Sequence, residues 1–477
     1  MNQNNGLPLV APKVAAVLEP NFRPAVLANR AFLSDIGAGV PIGLALEQAD
    51  GSIFHHRTKI AAPTHKLAAG NFTYLERLAK FLLWSRGGFR IHFEGPDDLA
   101  ERLANYYQTT ATGKFDAQIM GERIYEKPFE VVRAKKLPAE RASSTPLGRH
   151  VNGCRIGFDL GGSDRKIAAV KDGECVFSEE IVWNPIPQKD PRWHFQEIQD
   201  SLKRAADHLP RVDAIGGSSA GVYVNNRVKV ASLFRGVSPE DFEKHVKNIF
   251  LELQRTWNHI PFEVANDGEV TALAGSMALG VNSVLGIAMG TSTAGGYVTA
   301  DGNITTWLNE LAFAPVDYNP QAAVDEWSGD YGVGALYLSQ QAVARLHGGA
   351  GIDLPAQLPF AEKLKEVQKL MDRGDERARK IYQTIGTYLG YALAHYSDFY
   401  DIRNMLVLGR VTSGPGGDII LNGAKEVLRV EFPDLAAKIQ FHIPNEKDKR
   451  HGQAVAAASL PAIGLVATPD DRLPQTS

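Results

Sequence analysis

Cysteine is nearly absent: Cys154 and Cys175 are the only two in 477 residues. That count excludes a disulfide scaffold and a cysteine-rich zinc site, and two isolated thiols read as reduced and structural. A charge surplus of either sign is lacking too, with 51 Lys and Arg against 54 Asp and Glu, a net charge of −3. Such a balance provides no global attraction to nucleic acid or to an anionic membrane surface, so a small-molecule partner is the default expectation. No apolar run approaches the about 18 consecutive residues of a membrane span. The opening MNQNNGLPLVAPKVAAVLEP has neither a basic n-region nor a long apolar core. The chain is therefore expected in the cytoplasm, with no membrane partner. Its 13 histidines show no ligand spacing such as His-Glu-x-x-His, so no metal site made of protein ligands alone is expected.

What is present is an ordinary globular composition, in a chain too long for one hydrophobic core. After an irregular, Pro-containing start, the spacing predicts a hairpin over Ile42 to Arg57, turning at Asp50-Gly51. Phe72, Leu75, Leu78, Leu82 and Leu83 recur at helical spacing until Gly87-Gly88. A strand at Phe89 to Phe93 and a helix at Asp97 to Tyr107 follow, which makes a small α/β unit. Residues 130–153 are basic, rich in Pro and Ser and without apolar periodicity, and read as a connector. The expected division is an amino-terminal extension and connector over 1–153, a first lobe over 154–265 completed by a carboxyl-terminal helix at 452–466, and a second lobe over 266–451.

Two stretches repeat one pattern. IGFDLGGSDRKIAAVKDGECVFSEEI from Ile156 and LGIAMGTSTAGGYVTADGNITTWLNE from Leu285 each read as strand, Gly-rich turn, strand, Asp-Gly turn and third strand. Asp172-Gly173 and Asp301-Gly302 are the second turns. Further on, a helix at about Glu376 to Phe399 and a strand at Met405 to Leu408 lead into a Gly-rich loop from Gly409 to Gly417, then a helix. Bare backbone in such a loop can approach a nucleotide closely.

In the first copy Asp159, Gly161, Gly162 and Ser163 can aim amides and a hydroxyl at phosphate oxygens, Lys166 can add positive charge, and Asp159 can hold Mg²⁺ through water. Gly290, Thr291, Ser292 and Thr293 offer a second such turn, and Gly409, Gly416 and Gly417 a third contact. Each alone is equally a ligand-free turn; together they point to a nucleoside triphosphate, ATP with Mg²⁺. Between the copies a short apolar strand ends in Asn266-Asp267. An acid there can accept a proton from a substrate hydroxyl, and an Asx turn or helix cap is the structural alternative.

These motifs resemble the ROK family (repressor, open reading frame, kinase), from about Ile156 to the end. Asp159 to Lys166 is similar to the family's first phosphate motif, Gly290 to Gly296 to its second, Val264 to Asp267 to its catalytic strand, and Leu406 to Val411 to its adenosine strand. Asn309 to Asp317 resembles its Gly-Glu-Ile-Gly-His sugar motif. The resemblance implies an α/β fold of two actin-like ATPase (ribonuclease H-like) lobes around a nucleotide cleft. It further implies phosphorylation of a small carbohydrate, a hexose or related polyol, with Asp267 as general base and Asn266 and Glu310 on sugar hydroxyls. Phe313 stands where the family has His, and the cysteine zinc loop is replaced by Asp325 to Gly332, so folding is expected to need no zinc. Asp325 and Glu326 are candidates for a further sugar carboxylate.

ROK relatives include sugar-sensing transcriptional regulators, but the extension lacks a helix-turn-helix with a basic recognition helix. A non-sugar ATPase of the same superfold is the other rival, and Asn266, Asp267 and Glu310 argue against it. The 42–57 hairpin lacks phosphate-turn glycines, with Glu47-Gln48-Ala49 before Asp50-Gly51. It is expected to bind no nucleotide and to serve packing, cleft closure or dimerisation, which keeps a homodimer open.

Overall fold

The computed structural model describes residues 6–142, 146–443 and 446–464. Residues 1–5, the 143–145 part of the expected connector and the last two residues of the expected 452–466 helix lie outside them. The chain divides into two compact units, Met1–Pro146 with Leu279–Asn445, and Leu147–Ala278 with Glu446–Ser477. The amino-terminal segment is thus no separate extension, because it shares a unit with the second lobe. The divisions expected after 153 and 265 fall instead after 146 and 278.

The 147–278 unit is built on a five-stranded sheet in the order Phe262–Asn266, Ala214–Ser219, Cys154–Leu160, Asp164–Lys171, Glu174–Val182. Cys154–Leu160 is central and buried along its whole length, Arg155 and Asp159 included. Its hairpin partner Asp164–Lys171 is antiparallel to it and Glu174–Val182 is antiparallel to that strand, whereas Ala214–Ser219 and Phe262–Asn266 run parallel to Cys154–Leu160. One face is sealed by Phe158, Ile198, Leu202 and Phe250, with helices Pro191–Ala206 and Ile249–Thr256. On the other, the helix Glu446–Ala458 lies almost on the strands. A Cβ at Gly157 would be 1.8 Å from the Ala454 carbonyl oxygen, and one at Gly216 would be 1.7 Å from that of Ala457. Only glycine permits that approach.

The other unit holds two four-stranded sheets. The second, ordered Thr293–Val298, Val284–Met289, Asn404–Leu408, Gln440–His442, repeats the frame of the five-stranded one. An antiparallel hairpin comes first, then parallel partners. The third strand expected after Asp301-Gly302 is missing, since the chain makes only an isolated bridge, Val298 to Ile304. The first sheet is ordered Ile53–Ile60, Val40–Glu47, Arg90–Glu94, Glu130–Arg133. Its last strand lies in the stretch read as connector, and pairing with Arg90–Phe93 supplied the order that its sequence lacks. A helix at Ala25–Asp35 likewise sits in the stretch read as irregular. Among the described residues no helix is long and apolar enough to cross a membrane.

The Asn71–Arg86 helix is buried from Tyr74 to its end, including four charged residues. Burial of charge on this scale requires pairing. Arg77 bonds Glu76 at 2.7 Å and Asp330 at 3.2 Å, and Lys80 reaches Asp116 at 2.9 Å and Asp330 at 3.0 Å. The Trp84 indole also donates to Asp116, at 2.9 Å.

Candidate active site

In the 147–278 unit the strand Phe262–Asn266 passes directly into the helix Asp267–Leu279, so Asp267 stands at the junction. Its Oδ1 accepts from the Gly268 amide at 3.0 Å, as a residue opening a helix does. Burial, and next the negative charge of Asp159, push its carboxyl up to about 6. The Asn266 amide donates to the Gly221 carbonyl and accepts from Gly268, both at 2.7 Å. Both ends of that side chain therefore hold its own lobe in shape, leaving one donor and one lone pair for a ligand.

Asp159 is buried at the end of the central strand. Its Oδ1 accepts from Ser218 at 2.7 Å and its Oδ2 lies 3.6 Å from the Lys166 ammonium, which also bonds Asp164 at 2.8 Å. Burial pushes the Asp159 carboxyl up, while Ser218 and Lys166 pull against it. Gln453 donates to Ser218 at 2.8 Å and to the Asp267 carbonyl at 3.3 Å. Gly162 and Ser163 are exposed in the turn and Gly161 is half-buried, with the Ser163 hydroxyl donating to Asp164 at 2.9 Å. The structure thus gathers Asp159, Lys166, Asn266 and Asp267 in one unit. It adds Ser218, Asp164 and Gln453, which the sequence reading missed. Ser218 lies in a run of small residues, Gly216-Gly217-Ser218-Ser219, that marks a close approach, but nothing around Gln453 signals its role.

The other unit carries the rest. The Gly290 amide closes its turn on the Ser292 carbonyl at 3.0 Å, leaving Thr291 and Ser292 exposed. Thr293 differs from expectation: it is buried, and its hydroxyl donates to the Leu338 carbonyl at 3.0 Å. Gly409, at φ +97°, lies against the end of the neighbouring strand, where a Cβ would be 2.5 Å from the Met289 carbonyl oxygen. Gly416 and Gly417 are buried, and a Cβ on them would strike the Tyr382 ring at 2.4 Å and the Thr412 carbonyl at 2.1 Å. Their absent side chains therefore seat the helix Pro415–Glu431 on its own unit.

Glu310 is half-buried beside Asn309, which is buried and held at φ +49°. Phe313 packs at 4.3 Å on Trp84 and at 5.2 Å on Trp327. Asp325 is buried, and its Oδ2 accepts from the Ser328 amide and hydroxyl at 2.7 Å. Glu326 is exposed.

No family model matches the chain. A glucokinase of Halalkalibacterium halodurans is 26% identical over 306 residues, 60% of this chain and 89% of that protein. The ROK hexokinase of Thermus thermophilus superposes with a TM-score of 0.50 at 18% identity, over 64% of this chain and 96% of that one. Both alignments leave more than a third of this chain unmatched while spanning nearly all of the relative. By sequence and by fold the chain is thus similar to the sugar kinases of the ROK family, and its fold is the actin-like ATPase fold of that family.

Proposed function

We propose that the chain transfers the γ-phosphoryl group of ATP to a hydroxyl of a small sugar, with Asp267 as the base. The observation that carries the reading is Asp267 itself. It is an acid at a strand-to-helix junction, between the two copies of a duplicated frame of phosphate-type hairpins, with a carboxyl pushed up to about 6. Such a group is ionised at neutral pH yet basic enough to accept a proton as the acceptor oxygen attacks. In phosphoryl transfer the rest of the task is positioning and charge neutralisation.

The two hairpin turns would take the phosphates, Gly161 to Ser163 and Lys166 in one unit and Gly290 to Ser292 in the other. Glu310 and the remaining capacity of Asn266 would orient the sugar, in keeping with the activity that the Halalkalibacterium halodurans relative's name carries. Asp159 fits an outer partner of a nucleotide-bound magnesium ion: a single strand-end carboxylate, its Oδ1 fixed by Ser218, beside the turn. Magnesium, when bound there, supplies neutralisation of phosphate charge. Gly409 would let the adenosine side approach the backbone.

Purified protein assayed for ADP release against hexoses, hexosamines and polyols tests the reading. Sugar-dependent ADP release is the expected result; release that no sugar stimulates would leave only an ATPase.

A further inference from the structure

The amino-terminal segment contributes directly to the half-site that carries Glu310. The last turn of an α-helix leaves its carbonyls without intrahelical partners. At the end of Asn71–Arg86 those carbonyls are taken up by the sugar-motif backbone. The Glu310 amide donates to the Trp84 carbonyl at 2.9 Å, the Asn309 amide to Ser85 at 3.0 Å and the Leu308 amide to Arg86 at 3.4 Å. This pairing occupies the place of the missing third strand.

Two side chains lock the join. Gln48, from the Val40–Glu47 hairpin's turn, donates to the Arg86 carbonyl at 2.6 Å and to the Thr306 carbonyl at 3.4 Å, tying helix end and motif together. Arg86 is fully buried, with its guanidinium carbon 3.8 Å from the Trp307 ring centroid, 4.1 Å from Tyr400 and 4.8 Å from Phe54. Tyr400 in turn donates to the Asn309 side chain at 2.7 Å. On the far side, a Cβ at Gly295 would be 2.7 Å from the Asn309 carbonyl oxygen, so Asn309 is gripped between the phosphate hairpin and the helix end. A buried cation among rings costs desolvation that an apolar side chain would avoid. What the cation adds is direction, since a planar guanidinium stacked on two rings fixes both of them.

We infer that Gln48 and Arg86 are positioning residues for Glu310, so that the amino-terminal segment is a structural part of the sugar site. The inference rests on the reading of Glu310 as a sugar ligand. If it holds, the first 146 residues cannot be removed without losing sugar recognition.

The test is a double-mutant cycle on the full chain, pairing Arg86→Met and, separately, Gln48→Ala with Glu310→Gln. Steady-state kinetics are read for sugar and for ATP, and sugar binding is followed by calorimetry. Each single variant is expected to raise the sugar KM about tenfold, with kcat and the ATP KM changed far less, and to lose most of that effect in the Glu310→Gln background. Arg86→Lys, which keeps the cation, should recover part of the affinity. Additive effects in the cycle, or parallel losses in kcat and both KM values that track the melting temperature, would overturn the inference and mark the residues as core packing. Should Arg86→Met not fold, Gln48→Ala alone decides the question. Wild-type protein that binds and phosphorylates no sugar would overturn the kinase reading, and this inference with it; a working kinase with an additive cycle would overturn only the inference.

Discussion

The two hairpins of the duplicated frame have the same ladder and opposite chemistry. Cys154–Leu160 with Asp164–Lys171 carries Asp159, Asp164 and Lys166, the ammonium within bonding or ion-pair reach of both carboxylates. Val284–Met289 with Thr293–Val298 has no ionisable residue from Gly290 to Gly296, only backbone and hydroxyls. The apolar strands and the position of the turn set the frame in both copies. What stands at the strand end sets what each can do. A charged end beside Asp267 suits the chemistry, and a bare turn suits holding phosphate.

The sharpest way to break this comparison is to remove the acid from the charged copy's unit. Asp267→Asn keeps size and hydrogen bonding but cannot take a proton, so sugar-dependent turnover should fall about 10² to 10⁴-fold while ATP affinity stays near wild type. Steady-state kinetics with nucleotide titration reads both, and retention of more than about a tenth of the turnover would contradict a general-base role.

Stability should also separate the copies. Gly157→Ala places a methyl 1.8 Å from the Ala454 carbonyl oxygen, and should cost about 1–3 kcal/mol or more by driving the carboxyl-terminal helix off the sheet. Gly290→Ala meets only the Ser292 carbonyl oxygen, at 3.6 Å, and should stay within about 0.5 kcal/mol of wild type in denaturant melts. Equal losses in the two variants would remove the distinction.

The pH profile is a milder probe. Asp267 must be ionised to act, and its carboxyl is pushed up to about 6. As pH falls below that value the base is protonated, so kcat/KM for the sugar should drop by about tenfold per unit, with a plateau above. A profile flat down to pH about 4, the ordinary carboxylate range, would place the acid in a different environment. The smallest effect is expected of Ser292→Ala in the uncharged turn. It should weaken ATP by a few-fold at most, because one exposed hydroxyl is worth about 1 kcal/mol, and should leave sugar affinity alone. A large loss of turnover would move chemistry into the copy assigned to binding.

Much of the frame was legible in the chain itself. Apolar runs bounded by Gly-rich and Asp-Gly turns marked the hairpins, and the spacing of Phe72 to Leu83 marked the buried helix, because both signals are local. Asp267 was legible for the same reason, being an acid where an apolar strand stops. The strand Glu130–Arg133 was not, because four residues of mixed character become a strand only beside Arg90–Phe93. The expected strand after Asp301-Gly302 failed for the converse reason: its local pattern allowed pairing, but the free carbonyls at the end of Asn71–Arg86 drew in 308–310 instead.

The sequence by itself therefore determined the repeated α/β frame, the turns and the identity of the groups able to do chemistry. The tertiary structure alone decided which groups meet. Gln453 reaches Ser218 from 235 residues away, Arg77 and Lys80 become buried partners of Asp330, and Glu310 takes its backbone anchor from Trp84. Asp325 shows a shorter-range version, a carboxylate whose Oδ2 closes its own turn on Ser328. The physical reason is common to all of them. Hydrogen bonds and ion pairs between distant residues carry no periodicity and no spacing, so they exist only once burial has brought their partners within reach.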